Sequence, residues 1–202
     1  VGGGDLLHLE PGAADRGAPP EARLRRGVIP SGGAAQTEAV SRFLCRRGWR
    51  LAAAESCTGG RILDRLAARP GASAWLAGGI VAYEARVKVL RLGVPEGMIR
   101  THGAVSAEVA RAMAEGVRRA FTAEAGLATT GIAGPGGARP GKLLGLVHLA
   151  ASVPGRTVAA AYRFEGDREA VREAAADAAL RLLAGMLATS SCRPPAATCR
   201  TG

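Results

Sequence analysis

Apolar residues return at helical spacing over 36–47, where Val40, Phe43 and Leu44 share a face and Gly48 can close the helix. A short apolar run over 51–54 has the length of a buried strand. Helical spacing resumes over 58–68 with Ile62, Leu63 and Leu66 on one face, until Pro70-Gly71 breaks it. Residues 75–83 read as a strand and 85–92 as a short helix. The clearest amphipathic pattern spans 106–121, with Val109, Ala110, Met113, Val117 and Phe121 aligned. A short strand over 127–130 runs into a glycine-rich loop. Two further strands, 144–152 and 157–164, meet at Pro154-Gly155 as a hairpin. Asp167 can N-cap a last helix bearing Val171, Ala174, Ala178 and Leu182. Strands alternate with helices early and pair locally late, which predicts a layered α/β fold with a mixed sheet.

That pattern sits between two stretches without it. Residues 1–33 are rich in Gly, Pro, Ala and Arg, and 189–202 are similarly irregular. Both are expected to be disordered tails around one domain over 34–188. Aromatics make up only 3% of the chain, so Ala, Val and Leu must fill the core. The formal net charge of +10 attracts anions, from phosphorylated small molecules to nucleic acid. The charge is scattered and lacks interleaved stacking aromatics, so a nucleic-acid partner is not expected. The spacing of Cys45, Cys57, Cys192 and Cys199 matches no zinc pattern, and no metal site is expected. No apolar run is long enough to span a membrane and no secretion leader is visible, so a reduced, cytoplasmic setting is expected.

Chemistry concentrates in two places. The segment "AAAESCTGG" (52–60) carries Ser56, Cys57 and Thr58 where a strand gives way to a helix. The N–H groups of Thr58, Gly59 and Gly60 fall near the helix N-terminus, where they favour negative charge. Ser56 there is either a nucleophile with an oxyanion hole beside it or, with Thr58, a helix cap. Cys57 is the competing nucleophile, activated if the helix terminus acts on its thiol. A serine needs a base. His8 lies in the tail, His148 inside a strand, and His102 in a loop. The other candidate base is a neutral lysine, and Lys88 and Lys142 are the only lysines. Tyr83, five residues before Lys88, could relay a proton between Lys88 and Ser56; the alternative is a strand-end aromatic with its hydroxyl in water. The second place is the loop 131–142, whose five glycines and two prolines suit a phosphate. Residues 136–142 match the spacing of a P-loop, but Leu143 replaces the metal-binding hydroxyl and a strand follows, so the NTPase reading is rejected.

Five segments occur in order: "AESCTGG" (54–60), "PGASAWLAGGIVAYEARVK" (70–88), "LGV" (92–94), "HGAVSAEVARAMAEGV" (102–117) and "TGIAGPGG" (130–137). Together they closely resemble the CinA C-terminal domain family, whose active members are nicotinamide-nucleotide amidases. The resemblance covers residues 36 to 188 and implies a three-layer α/β/α domain with a mixed sheet. It implies hydrolysis of the carboxamide of nicotinamide mononucleotide to nicotinate mononucleotide and ammonia, as in pyridine-nucleotide salvage, with no cofactor. The family's serine falls on Ser56, its lysine on Lys88 and its tyrosine on Tyr83. The expected oxyanion and substrate contacts are Thr58, Gly59, Gly60, Thr130, Gly131, Ile132, Ala133, Gly134 and Arg168. The oligomeric state is left open, with a homodimer as the candidate assembly.

The chain departs from the family at two points. Glu84-Ala85 stands where the family usually has Ser-Asn, and Lys142-Leu143-Leu144-Gly145-Leu146 where it has Lys-Pro-Val-Gly-Thr. A Glu84 turned inward would favour charged Lys88 and weaken it as a base. The alternative reading is therefore a non-catalytic module that binds a nucleotide or a protein partner linked to competence or DNA damage.

Overall fold

A computed structural model describes residues 25–26, 33–137 and 143–189. The expected tails, along with Lys142, Cys192 and Cys199, lie outside the described residues except at Arg25–Arg26, Gly33 and Thr189. In chain order the elements are β1 (Arg25–Arg26), α1 (Gly33–Arg47), β2 (Leu51–Glu55), α2 (Arg61–Ala67), a 3-10 turn (Ala72–Ala74) and β3 (Leu76–Val81). Then come α3 (Ala85–Leu92), α4 (Glu96–His102), α5 (Ala107–Ala120), β4 (Ala125–Gly131), β5 (Leu146–Val153), β6 (Arg156–Arg163) and α6 (Arg168–Ala188). The sheet order is β1-β6-β5-β4-β2-β3. Strand β2 runs parallel to β3 and β4, whereas β5 is antiparallel to both β4 and β6, so the sheet is mixed as expected. Strand β1 places two residues of the expected tail on the free edge of β6.

Alternation along the strands splits the core in two. Leu51 and Ala53 of β2 face α1, α2 and α6, together with Leu127, Leu149 and Leu180. Ala52 and Ala54 face α5 with Val109, Met113 and Val117, and α3 packs on that same side. The scarcity of aromatics is met by close approach of main chains. A side chain at Gly126 of β4 would collide with the Ala114 carbonyl, and one at Gly116 of α5 with the Leu92 carbonyl.

Three helices differ from expectation. Helix α4 was not foreseen, and His102, expected in a loop, ends it. Helix α1 begins earlier, at Gly33. Helix α2 begins three residues late, because Gly59 and Gly60 take left-handed conformations (φ 59° and 99°) that no helix continues through. The hairpin turns at Pro154-Gly155, and Asp167 caps α6 by accepting the Ala170 N–H at 2.8 Å, both as expected.

Candidate active site

The strand-to-helix turn after β2 is organised by a residue that sequence reasoning passed over. Glu55 has no solvent exposure, and its carboxylate accepts the N–H groups of Gly60 (2.9 Å), Ile62 (3.1 Å) and Leu63 (2.8 Å). The amides opening α2 are therefore occupied, and neither Ser56 nor Thr58 caps the helix. Thr58 is buried with its hydroxyl 2.7 Å from that of Thr129, and its carbonyl accepts from Arg172. Thr58, Gly59 and Gly60 are not among the residues lining the cavity onto which Ser56 opens, and the Gly60 N–H is taken by Glu55. The signal available in the sequence was a carboxylate four residues ahead of the Gly59-Gly60 pair.

Ser56 is free to face Lys88. The lysine is 1% exposed, an uncommon state for an amine, and lies on the inner face of α3. Its Nζ is 3.0 Å from Ser56 Oγ and donates to the carbonyls of Ala82 (2.6 Å) and Tyr83 (3.2 Å). A neutral amine has two N–H groups and one lone pair. The two carbonyls take both hydrogens, which leaves the lone pair for the Ser56 hydroxyl. Burial lowers the Lys88 pKa to about 8, against a smaller opposing pull from Cys57. Glu84 is exposed rather than turned inward, and it is not among the groups that shift Lys88.

Ser56 and Lys88 open onto a cavity of about 240 Å³ also lined by Tyr83, Thr130, Gly131, Ile132, Ala133, Gly134 and Arg168. Tyr83, the expected relay, turns its hydroxyl to Arg168. It is 57% exposed, its hydroxyl accepts from Arg168 at 2.7 Å, and only its main-chain carbonyl meets Lys88. Arg168 also donates to the Gly134 carbonyl at 2.7 Å, so it ties the glycine loop to Tyr83 across the cavity mouth. Thr130 donates to the Ala104 carbonyl at 2.7 Å, and Ile132 N–H is taken by the Leu146 carbonyl. Ala133 and Gly134 follow on the cavity wall, past the end of β4. A larger space of about 740 Å³ shares Ala133, Gly134 and Arg168 and extends between Leu144, Arg163 and Phe164. Leu144, at the second departure, thus walls this space, while Gly145 (φ 78°) packs against the Phe164 carbonyl.

The rival groups are placed elsewhere. His102 Nδ1 lies 3.9 Å from Glu108, and neither it nor His148 lines the cavity. Cys57 does line it but is buried, and desolvation pushes its thiol up to about 12. Alkylation of the folded protein at pH 8 is expected to modify exposed Cys45 and spare Cys57; peptide mass mapping reads this directly, and rapid labelling of Cys57 would reinstate it as a nucleophile. Among the described residues no cluster of His, Cys, Asp or Glu is suited to a metal, and no helix is long and apolar enough to cross a membrane.

The family model of the CinA C-terminal domain matches residues 34–187. A CinA-like protein of Anaeromyxobacter sp. (strain K) is 48% identical over 181 residues, covering 86% of this chain and 43% of its own length. A CinA-like protein of Acidobacterium capsulatum is 47% identical over 163 residues, covering 81% of this chain and 39% of its own. The chain thus spans less than half the length of these relatives. The crystal structure of competence damage-inducible protein A (ComA) from Klebsiella pneumoniae superposes with a TM-score of 0.76 at 34% identity, covering 79% of this chain and 99% of that one. That of competence/damage inducible protein CihA from Agrobacterium tumefaciens gives 0.73 at 34% identity, covering 77% and 96%.

Proposed function

This chain belongs to the CinA C-terminal domain family, and from that premise we propose that it is an amidohydrolase cleaving the carboxamide of nicotinamide mononucleotide to nicotinate mononucleotide and ammonia. The observation that carries the reading is buried Lys88, its Nζ 3.0 Å from Ser56 Oγ and its two remaining bonds on main-chain carbonyls. Neutral Lys88 takes the Ser56 proton as Oγ attacks the carboxamide carbon. Backbone N–H groups of the loop after β4, where Ala133 and Gly134 line the cavity, would hold the resulting oxyanion. Lys88 returns the proton to the departing nitrogen, and ammonia leaves. Water, deprotonated by the same amine, then cleaves the acyl enzyme to the carboxylate. Arg168 spends two donors on Gly134 and Tyr83; a guanidinium has five, so others remain for the substrate phosphate in the adjoining space.

Ammonia release from nicotinamide mononucleotide by the wild-type protein tests this reading. At low substrate the rate should climb about tenfold per pH unit below 8 and level off above it, following loss of the Lys88 proton. A pH-independent rate would remove Lys88 as the base. A nucleotide that binds without releasing ammonia would make the domain a recognition module instead.

A further inference from the structure

The buried carboxylate of Glu55 takes no part in that mechanism, yet the residue is linked to both halves of the pair. Its side chain bonds Gly60, Ile62 and Leu63, which closes residues 56–59 into a ring with Ser56 as the first member. Its main-chain carbonyl accepts the Ala82 N–H at 2.7 Å, and the Ala82 carbonyl is the nearest partner of Lys88 Nζ, at 2.6 Å. The Ser56 N–H is fixed in turn on the Thr129 carbonyl at 3.0 Å.

We infer that Glu55 is the positioning residue of the serine–lysine pair, holding Ser56 Oγ and Lys88 Nζ at bonding distance through the closed turn and the Ala82 peptide. The inference rests on reading that pair as catalytic. Helix capping alone does not account for the geometry. A short Ser, Thr, Asp or Asn next to the helix would be enough to reach the second and third helical amides, here those of Ile62 and Leu63. Glu55 instead reaches forward from the strand end, past four residues, and so encloses the nucleophile. Two left-handed glycines bring the amides back to it. Three N–H donors also satisfy a carboxylate that would otherwise be costly in so dry a place.

Glu55→Gln tests this, because it keeps the side-chain length but sets an NH2 group against a backbone donor. Circular dichroism should show a folded protein. The kcat for ammonia release should fall about 100-fold with KM unchanged, the scale expected when reacting groups shift by about 1 Å. A second readout needs no substrate. With two lysines in the chain, 13C-labelled lysine gives two titration curves, and the Lys88 curve should move from about 8 toward the ordinary lysine value as water reaches the amine. A folded variant with wild-type kcat and an unmoved Lys88 curve overturns the inference. Should Glu55→Gln not fold, Glu55→Asp, which keeps the charge and withdraws the carboxylate by one methylene, is read in the same two ways. Absence of ammonia release in the wild type, with Lys88 still titrating near 8, would instead defeat the substrate reading. The Lys88 shift in the variant then decides the inference alone.

Discussion

Ser56→Ala is expected to lower kcat for ammonia release by on the order of 10⁴-fold or more while the protein stays folded and still binds the nucleotide. The size follows from what remains. Without Oγ, the Lys88 lone pair faces a methyl group, and only the rest of the cavity wall and the substrate contacts are left to act on the carbonyl. Cys57 cannot stand in, since its thiol is held protonated far above neutral pH by burial. The structural cost is small. One oxygen disappears from an 8% exposed side chain, and Lys88 keeps both carbonyl partners. Stability should change by about 1 kcal/mol or less. An ammonia assay, calorimetric titration with nicotinamide mononucleotide and a thermal melt on the same preparation decide the matter. Undiminished turnover would reject Ser56 as the nucleophile.

Lys88→Met is expected to cost about 10³-fold in rate and to alter the pH dependence of stability. The lysine's ordinary pKa of 10.5 is lowered to about 8 in the folded chain. Between those values the unfolded chain holds a proton that the folded chain has released, so stability rises with pH across that window. Below pH 8 both states are protonated, and the folded state carries the full penalty of burying the charge, about 3 kcal/mol. Methionine has similar length and no charge. It removes that penalty and leaves the Ala82 and Tyr83 carbonyls without a donor, at about 1 kcal/mol or more each. Urea unfolding at pH 7 should therefore find the variant at least as stable as wild type, and at pH 10 less stable. A constant difference between the two proteins across that range would mean that Lys88 is not buried as a free amine. The order matters for function, since the group that makes the site reactive also weakens the fold at neutral pH.

The sequence made the local patterns legible and left the long reaches hidden. Helix α5, the hairpin and the Asp167 cap depend on neighbouring residues, and periodicity and turn chemistry exposed them. Helix α4 carries only Met98 and Ile99 on a short polar stretch, too little for a period to show. Ser56, Lys88 and Arg168, far apart in the sequence, converge on one cavity. The direction of the Tyr83 ring was not legible, because spacing along the chain says nothing of side-chain direction. Helix α3 starts at Ala85 and turns Lys88 inward, while Tyr83, just before it, presents its carbonyl inward and its ring outward. Glu55 was missed for a similar reason. As a lone carboxylate at the end of an alanine strand it looks like a surface residue, and only the conformations of Gly59 and Gly60 bring three amides onto it. Sequence order likewise suggested the amides of 58–60 for the oxyanion, and that carboxylate is what takes Gly60 away.

The contact of α5 with β4 and α3 through bare main chain bears on how chains of this kind can diverge. Gly116 and Gly126 lie away from the cavity, yet each is pressed against a carbonyl that no side-chain adjustment can move. Natural selection would remove replacements there as strictly as at the serine, though for reasons of shape alone. Invariance in a lineage would then mark two overlapping sets of positions, one kept by chemistry and one by geometry. Loss of activity alone would not separate them; the yield of folded protein would.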